Sequence, residues 1–260
     1  MLHKRLISNL LHFNNLRKFL GNTSVSLAVR SEFKLKILET PPPGKVLVLS
    51  PHPDDDVFGC GGTLALHKNN GDQVKIIYLT SAPKRKQEAI YSANALKISE
   101  IEFWGLKEGE FSASKRTVQK LADLIIDFSP TSIYCPSFID PHPDHFETAK
   151  ILNFALCNPK RPDNLISIFL YEIWSPIYAN RLLKIDSVIN IKKAAILCHK
   201  SQMKERGYLE AILGLNSYRA GMFSVGRYAE AFTALNSKLY IRLFDVFCLN
   251  SKSEARNPKQ

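Results

Sequence analysis

Two short stretches concentrate side chains that do chemistry. Ser50-Pro51-His52-Pro53-Asp54-Asp55-Asp56 sets an imidazole just ahead of three consecutive carboxylates on a proline-stiffened turn. Asp140-Pro141-His142-Pro143-Asp144-His145 repeats the imidazole and carboxylate mixture. Neutral imidazole nitrogen and carboxylate oxygen suit a hard divalent metal, and two adjacent carboxylates allow a division of labour, one on the metal and one free to take a proton. Each stretch alone reads equally well as an ordinary surface loop. Together they bring three His and several Asp to one place, provided the fold joins them.

The intervening elements predict that it does. After the Pro41-Pro42-Pro43-Gly44 breaker, residues 45–50 (KVLVLS) form a buried-strand pattern that runs directly into the first stretch. Residues 74–79, 101–104, 132–135 and 166–173 read as further strands, and residues 84–97, 117–128 and 146–156 as helices. This alternation predicts an α/β fold, a Rossmann-like three-layer sandwich with a mostly parallel sheet and helices on both faces. Ligands bind at the carboxyl ends of strands in such sheets, and both stretches follow strands there. Residues 192–250 read mostly as helix and loop. The domain assignment is a basic N-terminal extension (1–40), a catalytic domain (41–250) and a loose polar tail (251–260).

The first stretch and its continuation, Val57-Phe58-Gly59-Cys60-Gly61-Gly62-Thr63-Leu64-Ala65, resemble the opening motif of the zinc-dependent N-deacetylases. These are the LmbE-like and N-acetylglucosaminyl-phosphatidylinositol de-N-acetylase superfamily. His142-Pro143-Asp144-His145 is similar to the family's second motif, and Leu79-Thr80, the helix start at Arg85, Lys193-Ala194-Ala195, His199-Lys200-Ser201-Gln202 and residues 228–232 extend the likeness over about residues 45–235. The resemblance implies that His52, Asp55 and His145 ligate zinc, a set that ferrous iron can also occupy. It implies that Asp54 is the general base, and that His142, oriented by Asp144, protonates or stabilises the intermediate. Asp56 stands where the family usually has Glu, one methylene longer, so its partner is expected to differ.

Other residues carry weaker signals. Arg85 and Arg219 are candidates to hold an anionic part of the substrate, guanidinium forks being suited to phosphate and carboxylate, or are ordinary salt-bridge arginines. His199 borders the site by the resemblance, or is a satisfied core histidine. Glu230 lies in an apolar stretch and needs a cation, with Arg219 or Arg227 the expected partner. Cys60 reads as a small buried residue between glycines. Residues 59–62 lack the spacing and the Lys-Ser/Thr ending of a phosphate loop. His3, His12 and His67 read as incidental.

The composition is that of a globular protein: 260 residues, 45% hydrophobic and 23% charged, with 12 Gly and 14 Pro. The five cysteines are scattered and never paired as CxxC, which excludes a disulfide framework or a thiolate zinc cage and fits a reducing cytoplasm. The formal charge is +11, of which +5 falls in residues 1–40 and +6 in the remainder. No RNA-binding or finger pattern accompanies it, so nucleic acid is not an expected partner; an anionic small substrate or an anionic membrane surface is. Leu2, Leu6, Leu10, Phe13, Leu16 and Leu20 recur at helical spacing among basic residues, a pattern open to peripheral membrane contact or to packing on the domain or a partner chain. The leading expectation is a zinc hydrolase that removes the N-acetyl group from an anionic or conjugated N-acetylglucosamine-type sugar. A metal-dependent phosphoesterase and a non-catalytic basic carbohydrate- or membrane-binding module with a relic site are the alternatives.

Overall fold

Short runs of Val, Ile and Leu, punctuated by Gly, Pro and Asp, set the strands, and amphipathic stretches between them set the helices. The computed structural model describes residues 34–160, 164–204 and 207–255. Strands β1 (Lys36–Leu38) and β2 (Lys45–Ser50) come first, followed by α1 (Asp55–Asn69), β3 (Gln73–Thr80), α2 (Pro83–Ala95) and β4 (Glu100–Leu106). Next are α3 (Lys115–Phe128), β5 (Ser132–Pro136), α4 (Pro143–Leu156) and β6 (Ser167–Tyr171). The chain continues through β7 (Arg181–Lys184), a 3-10 turn (Asp186–Val188), α5 (Ile189–Leu197), α6 (Lys200–Met203), α7 (Tyr208–Met222), β8 (Ala229–Asn236) and α8 (Ser237–Ala255). The helical pattern expected between Leu2 and Leu20 lies outside the described residues. The last helix continues five residues into the segment expected as a loose tail.

The eight strands form one sheet in the order β1-β7-β8-β6-β5-β2-β3-β4. Strands β6, β5, β2, β3 and β4 are parallel, and β8 runs antiparallel to both β6 and β7. From β2 the chain moves outward through β3 to β4, then returns to β5 on the other side of β2 and moves outward to β6. Right-handed crossovers in opposite directions place α1 and α2 on one face and α4 on the other. Accordingly α1 and α2 pack on α5, while α4 packs on α3 and α8. The reversal makes a crevice between the carboxyl ends of β2 and β5, the two strands that feed the His/Asp stretches.

Strands β1, β7 and β8 lie outside the strand patterns of the sequence. Ala229–Asn236 lies in the span expected as helix and loop, yet it is a core strand with its first four residues buried. Helix α3 shows the simple case of a helix set by its own sequence. Leu121, Ala122, Ile125 and Phe128 line one buried face, Ser114 caps the start by accepting from Thr117 N at 3.2 Å, and Ser129 ends it at φ 50.

Helix α1 is different: it is buried from Asp55 through His67 and is broken at Cys60, whose φ is −142. A β-carbon on Gly59 would collide with the Tyr171 ring, and one on Gly62 would sit 2.8 Å from Ile185 Cγ2, so the glycines allow the helix this close to the sheet. The second half of the helix begins at the break, and its free Gly62 and Thr63 amides each donate to Glu230 at 2.7 Å. Glu230 also accepts from Thr63 Oγ1 at 2.6 Å and pairs with Lys192 Nζ at 2.6 Å. Its partner is therefore Lys192 on α5, not Arg219 or Arg227. His67 is likewise structural rather than incidental: it is fully buried, with Nδ1 2.7 Å from Asp72 Oδ2 and Nε2 2.9 Å from Tyr134 OH.

Candidate metal centre and cleft

The turn after β2 is held by its neighbour. Thr80, at the end of β3, donates to Pro51 O from both its amide (3.0 Å) and its hydroxyl (2.9 Å). Asp54 N donates to His52 O at 2.8 Å, and His52 N donates to Asp55 Oδ2 at 2.9 Å, which closes the turn around the first carboxylates. Across the crevice, Pro143 opens α4 at its first position, and Asp144 and His145 fall in the first helical turn.

The two strand ends bring His52, Asp55 and His145 together, with one potential ligand atom from each, all within 4.8 Å of one another. All three are at least 96% buried. His52, His142 and Asp144 form a second trio on the same criterion, sharing His52 with the first. His142 stacks on His145 with ring centroids 4.7 Å apart and meets the His52 ring edge-on at 4.8 Å.

The electrostatics of the centre favour positive charge. Burial works against protonation of His52, but Asp55 at 2.9 Å and Asp144 at 3.0 Å outweigh it and raise its pKa to about 10. His145 is likewise raised to about 9, burial being outweighed by Asp55 and Asp140. Burial of Asp55 is overcome in turn by the two imidazoles, which hold its carboxyl well below the usual range. His145 Nδ1 lies 3.0 Å from Asp140 Oδ1 and Nε2 lies 3.4 Å from Asp55 Oδ2, but neither contact is aligned as a hydrogen bond, so this fully buried ring has no such partner among the described residues. A buried imidazole nitrogen without a hydrogen-bond partner beside a carboxylate, in surroundings that gather positive charge, fits a divalent cation held by His52, Asp55 and His145.

Asp54 faces the cleft beside this trio and is 4% exposed. Burial and the adjacent Asp55 raise its pKa to about 6, while Arg85 and His52 oppose the rise. Arg85, expected to hold an anion, does line the cleft. Its guanidinium donates from Nη2 to Asp54 at 2.8 Å and from Nη1 to Glu108 at 2.9 and 3.1 Å. Glu108 had no sequence signal. Asp56 faces away from the cleft, accepting from Ser50 Oγ at 3.3 Å and Tyr78 OH at 3.0 Å, and burial raises its pKa to about 7.

The second stretch differs from expectation in one contact. The Asp144 carboxylate does not reach His142; it faces His52 Nε2 and accepts from Gly109 N at 2.8 Å. His142 is oriented by backbone instead, its Nδ1 accepting from Asp144 N at 3.1 Å as the cap of α4. Burial and the neighbouring imidazoles of His145 and His52 hold its pKa below the usual value. A neutral ring that accepts at Nδ1 carries its proton on Nε2. Asp140, which opens the stretch, accepts from the amides of His142 and Trp174, both at 3.0 Å, and braces this wall.

Arg219 and His199 do not line the cleft. Arg219 is 8% exposed and donates to Glu172 at 3.1 and 2.6 Å and to Ile177 O at 2.8 Å. A buried guanidinium needs these acceptors, and it fixes Glu172, which does line the cleft. His199 is fully buried behind Phe58, with ring centroids 6.2 Å apart. The cleft has a volume of about 340 Å³; of its remaining wall, Phe58 belongs to the first motif, while Ile173, Trp174 and helix α7 carried no sequence signal for the site.

Residues 47–156 match the family model "PIG-L: GlcNAc-PI de-N-acetylase". A probable N-acetyl-alpha-D-glucosaminyl L-malate deacetylase 2 from Bacillus subtilis is 27% identical over 185 residues, 60% of this chain and 82% of that protein. A diacetylchitobiose deacetylase from Thermococcus kodakarensis is 26% identical over 216 residues, 72% of this chain and 81% of that protein. The crystal structure of a conserved protein from Thermus thermophilus superimposes with a TM-score of 0.65 at 28% identity, covering 72% of this chain and 93% of that one.

Proposed function

The chain belongs to the PIG-L (LmbE-like) superfamily, and on that premise we propose that it is a metal-dependent hydrolase removing the N-acetyl group from a conjugate of N-acetylglucosamine type. One observation carries the reading: a buried His52/Asp55/His145 trio with a second carboxylate outside it, Asp54, beside it in the same cleft. Held by that trio, a zinc or ferrous ion supplies Lewis acidity that polarises an amide carbonyl and acidifies water.

The chain's own residues do the rest. Asp54, held in place by Arg85, accepts a proton from the attacking water at its carboxylate. His142 presents Nε2–H to the oxyanion that develops as the carbonyl becomes tetrahedral. As the C–N bond breaks, the proton on Asp54 passes to the departing amine, leaving acetate and the free amino sugar. His142 needs no carboxylate behind it for this role, because the backbone amide of Asp144 already fixes its tautomer. A two-metal phosphoesterase is less well supported, since the two ligand trios found among the described residues share His52.

The neighbours Asp54 and Asp55 separate the roles. Asp55→Ala is expected to lose bound metal and activity together. Asp54→Asn is expected to keep stoichiometric metal while kcat falls by about 10² to 10⁴. Metal content and acetate release measured on both variants test the assignment, and an active Asp54→Asn protein or a metal-replete Asp55→Ala protein overturns it.

A further inference from the structure

We infer that the cleft selects N-acetyl amino sugars carrying an uncharged, apolar, elongated aglycone that lies along α7; the inference rests on the deacetylase reading above. The formal charge of the chain suggested the opposite, an anionic conjugate. That charge is not in the cleft. The charged side chains lining it are Asp54, Asp55, Glu108, Glu172 and Arg85, besides the imidazoles of the metal centre. Among the described residues Arg85 is the one lining guanidinium, and it already donates to both Asp54 and Glu108. Arg219, the other arginine that the sequence put forward, is buried against Glu172. A phosphate or carboxylate on the aglycone would meet carboxylates and, among the described residues, no uncommitted cation.

The rest of the lining is largely apolar: Phe58, Ile173 and Trp174 with Tyr208, Ile212 and Leu215 of α7, the Phe58 and Tyr208 ring centroids lying 5.4 Å apart. Tyr208, Ala211, Ile212 and Leu215 share one helical stripe, and the same stripe continues beyond the cleft to Tyr218 and Met222. Those two are 56% and 62% exposed, and Phe223 at the helix end is 42% exposed. The wall of the cleft and the exposed stripe are thus one surface, and from Ala211 to Met222 it extends about 16 Å along the helix. A sugar fills the polar end at the metal centre; a chain leaving its anomeric carbon toward α7 finds apolar surface for that length. Its continuity with the cleft argues for the substrate's own aglycone as occupant rather than a second protein.

The test uses the full chain loaded with metal and a series of glycosides: methyl, hexyl and octyl N-acetylglucosaminides below their micelle concentrations, and N-acetylglucosamine 1-phosphate. Full burial of a methylene is worth about fourfold in affinity, so the half-open stripe should raise kcat/KM at least about tenfold from methyl to hexyl, mainly through KM. The 1-phosphate should fall below the methyl glycoside. In Tyr218→Ser/Met222→Ser the octyl-to-methyl ratio should drop toward one. Acetate release at equal efficiency across the series, or a preference for the phosphate, overturns the inference and leaves the deacetylase reading intact. A ratio untouched by the double substitution in a chain that sediments as a dimer overturns it too, assigning the stripe to self-association. Should no glycoside release acetate, binding read from the fluorescence of Trp174 decides independently: the octyl-over-methyl ordering upholds apolar selection while the hydrolytic reading fails, and its absence overturns both.

Discussion

Replacing Lys192 by Met probes how the chain carries a fully buried carboxylate behind its cleft. Lys192 and Glu230 are both 0% exposed and meet at 2.6 Å. The two partners are not equally dependent on each other. Without Lys192, Glu230 still accepts from Gly62 N, Thr63 N and Thr63 Oγ1, at the amino end of the second half of α1. Without Glu230, Lys192 keeps only two neutral acceptors, Phe58 O at 3.1 Å and Asn216 Oδ1 at 2.9 Å. Breaking a buried pair costs about 3–5 kcal/mol, so Lys192→Met should sit near the lower figure, about 3, and Glu230→Gln near the upper, about 5. The double variant leaves no uncompensated charge and should cost less than the two singles together by about 2 kcal/mol or more. Urea unfolding reads this directly: with a slope of about 3 kcal/mol/M, Lys192→Met lowers the midpoint by about 1 M. Phe58 and Asn216 also line the cleft, so KM should rise in the same variant. Single substitutions costing under about 1 kcal/mol, or a strictly additive cycle, would refute the reasoning.

Two further outcomes are expected. Burial lowers the pKa of His199 to about 4, and its ring nitrogens have no hydrogen-bond partner among the described residues. The unfolded chain therefore binds more protons between pH 4 and about 6.5; the stability this residue allows is complete above that window and falls by up to about 3 kcal/mol as pH drops through it. His199→Phe should flatten that limb of a urea midpoint against pH series, and an unchanged limb would count against it. Asp56→Glu restores the residue usual in the resembling motif, yet the Ser50 and Tyr78 hydroxyls already close around the shorter side chain. The longer carboxylate should destabilise by about 1–3 kcal/mol through overpacking, and a thermal melt showing equal or greater stability would contradict this.

The centre was legible because its residues follow two strands that are themselves easy to read. Short β-branched runs gave β2 and β5, and the strand-end rule placed His52, Asp54, Asp55, His142, Asp144 and His145 at one edge. What escaped notice depends on tertiary context. Ala229–Asn236 carries no alternation strong enough to separate a strand from a helix, and its place is set by pairing with β6 and β7. Glu230 announced that it needed a cation, but nothing local points to Lys192 38 residues earlier. Arg219 and His199 are residue types common at anion sites, and only burial shows that they face inward. Asp140 was visible as the first residue of its stretch, although its bracing role was not. Helix α7 carries no motif, so the apolar wall, and with it the mismatch between a basic chain and an acidic cleft, emerged only from the fold.

The central claim is metal-dependent hydrolysis of an N-acetyl group, and the most direct measurement is acetate release. The purified chain should be incubated with an N-acetylglucosaminide labelled with carbon-13 in the acetyl group and followed by NMR as isolated, after chelation, and after zinc or ferrous ion is restored. The account predicts labelled acetate and free amine in equal amounts, loss of both on chelation, and recovery with added metal. Release that survives complete removal of metal, or no release from any N-acetyl amino-sugar conjugate by the metal-loaded chain, would contradict it.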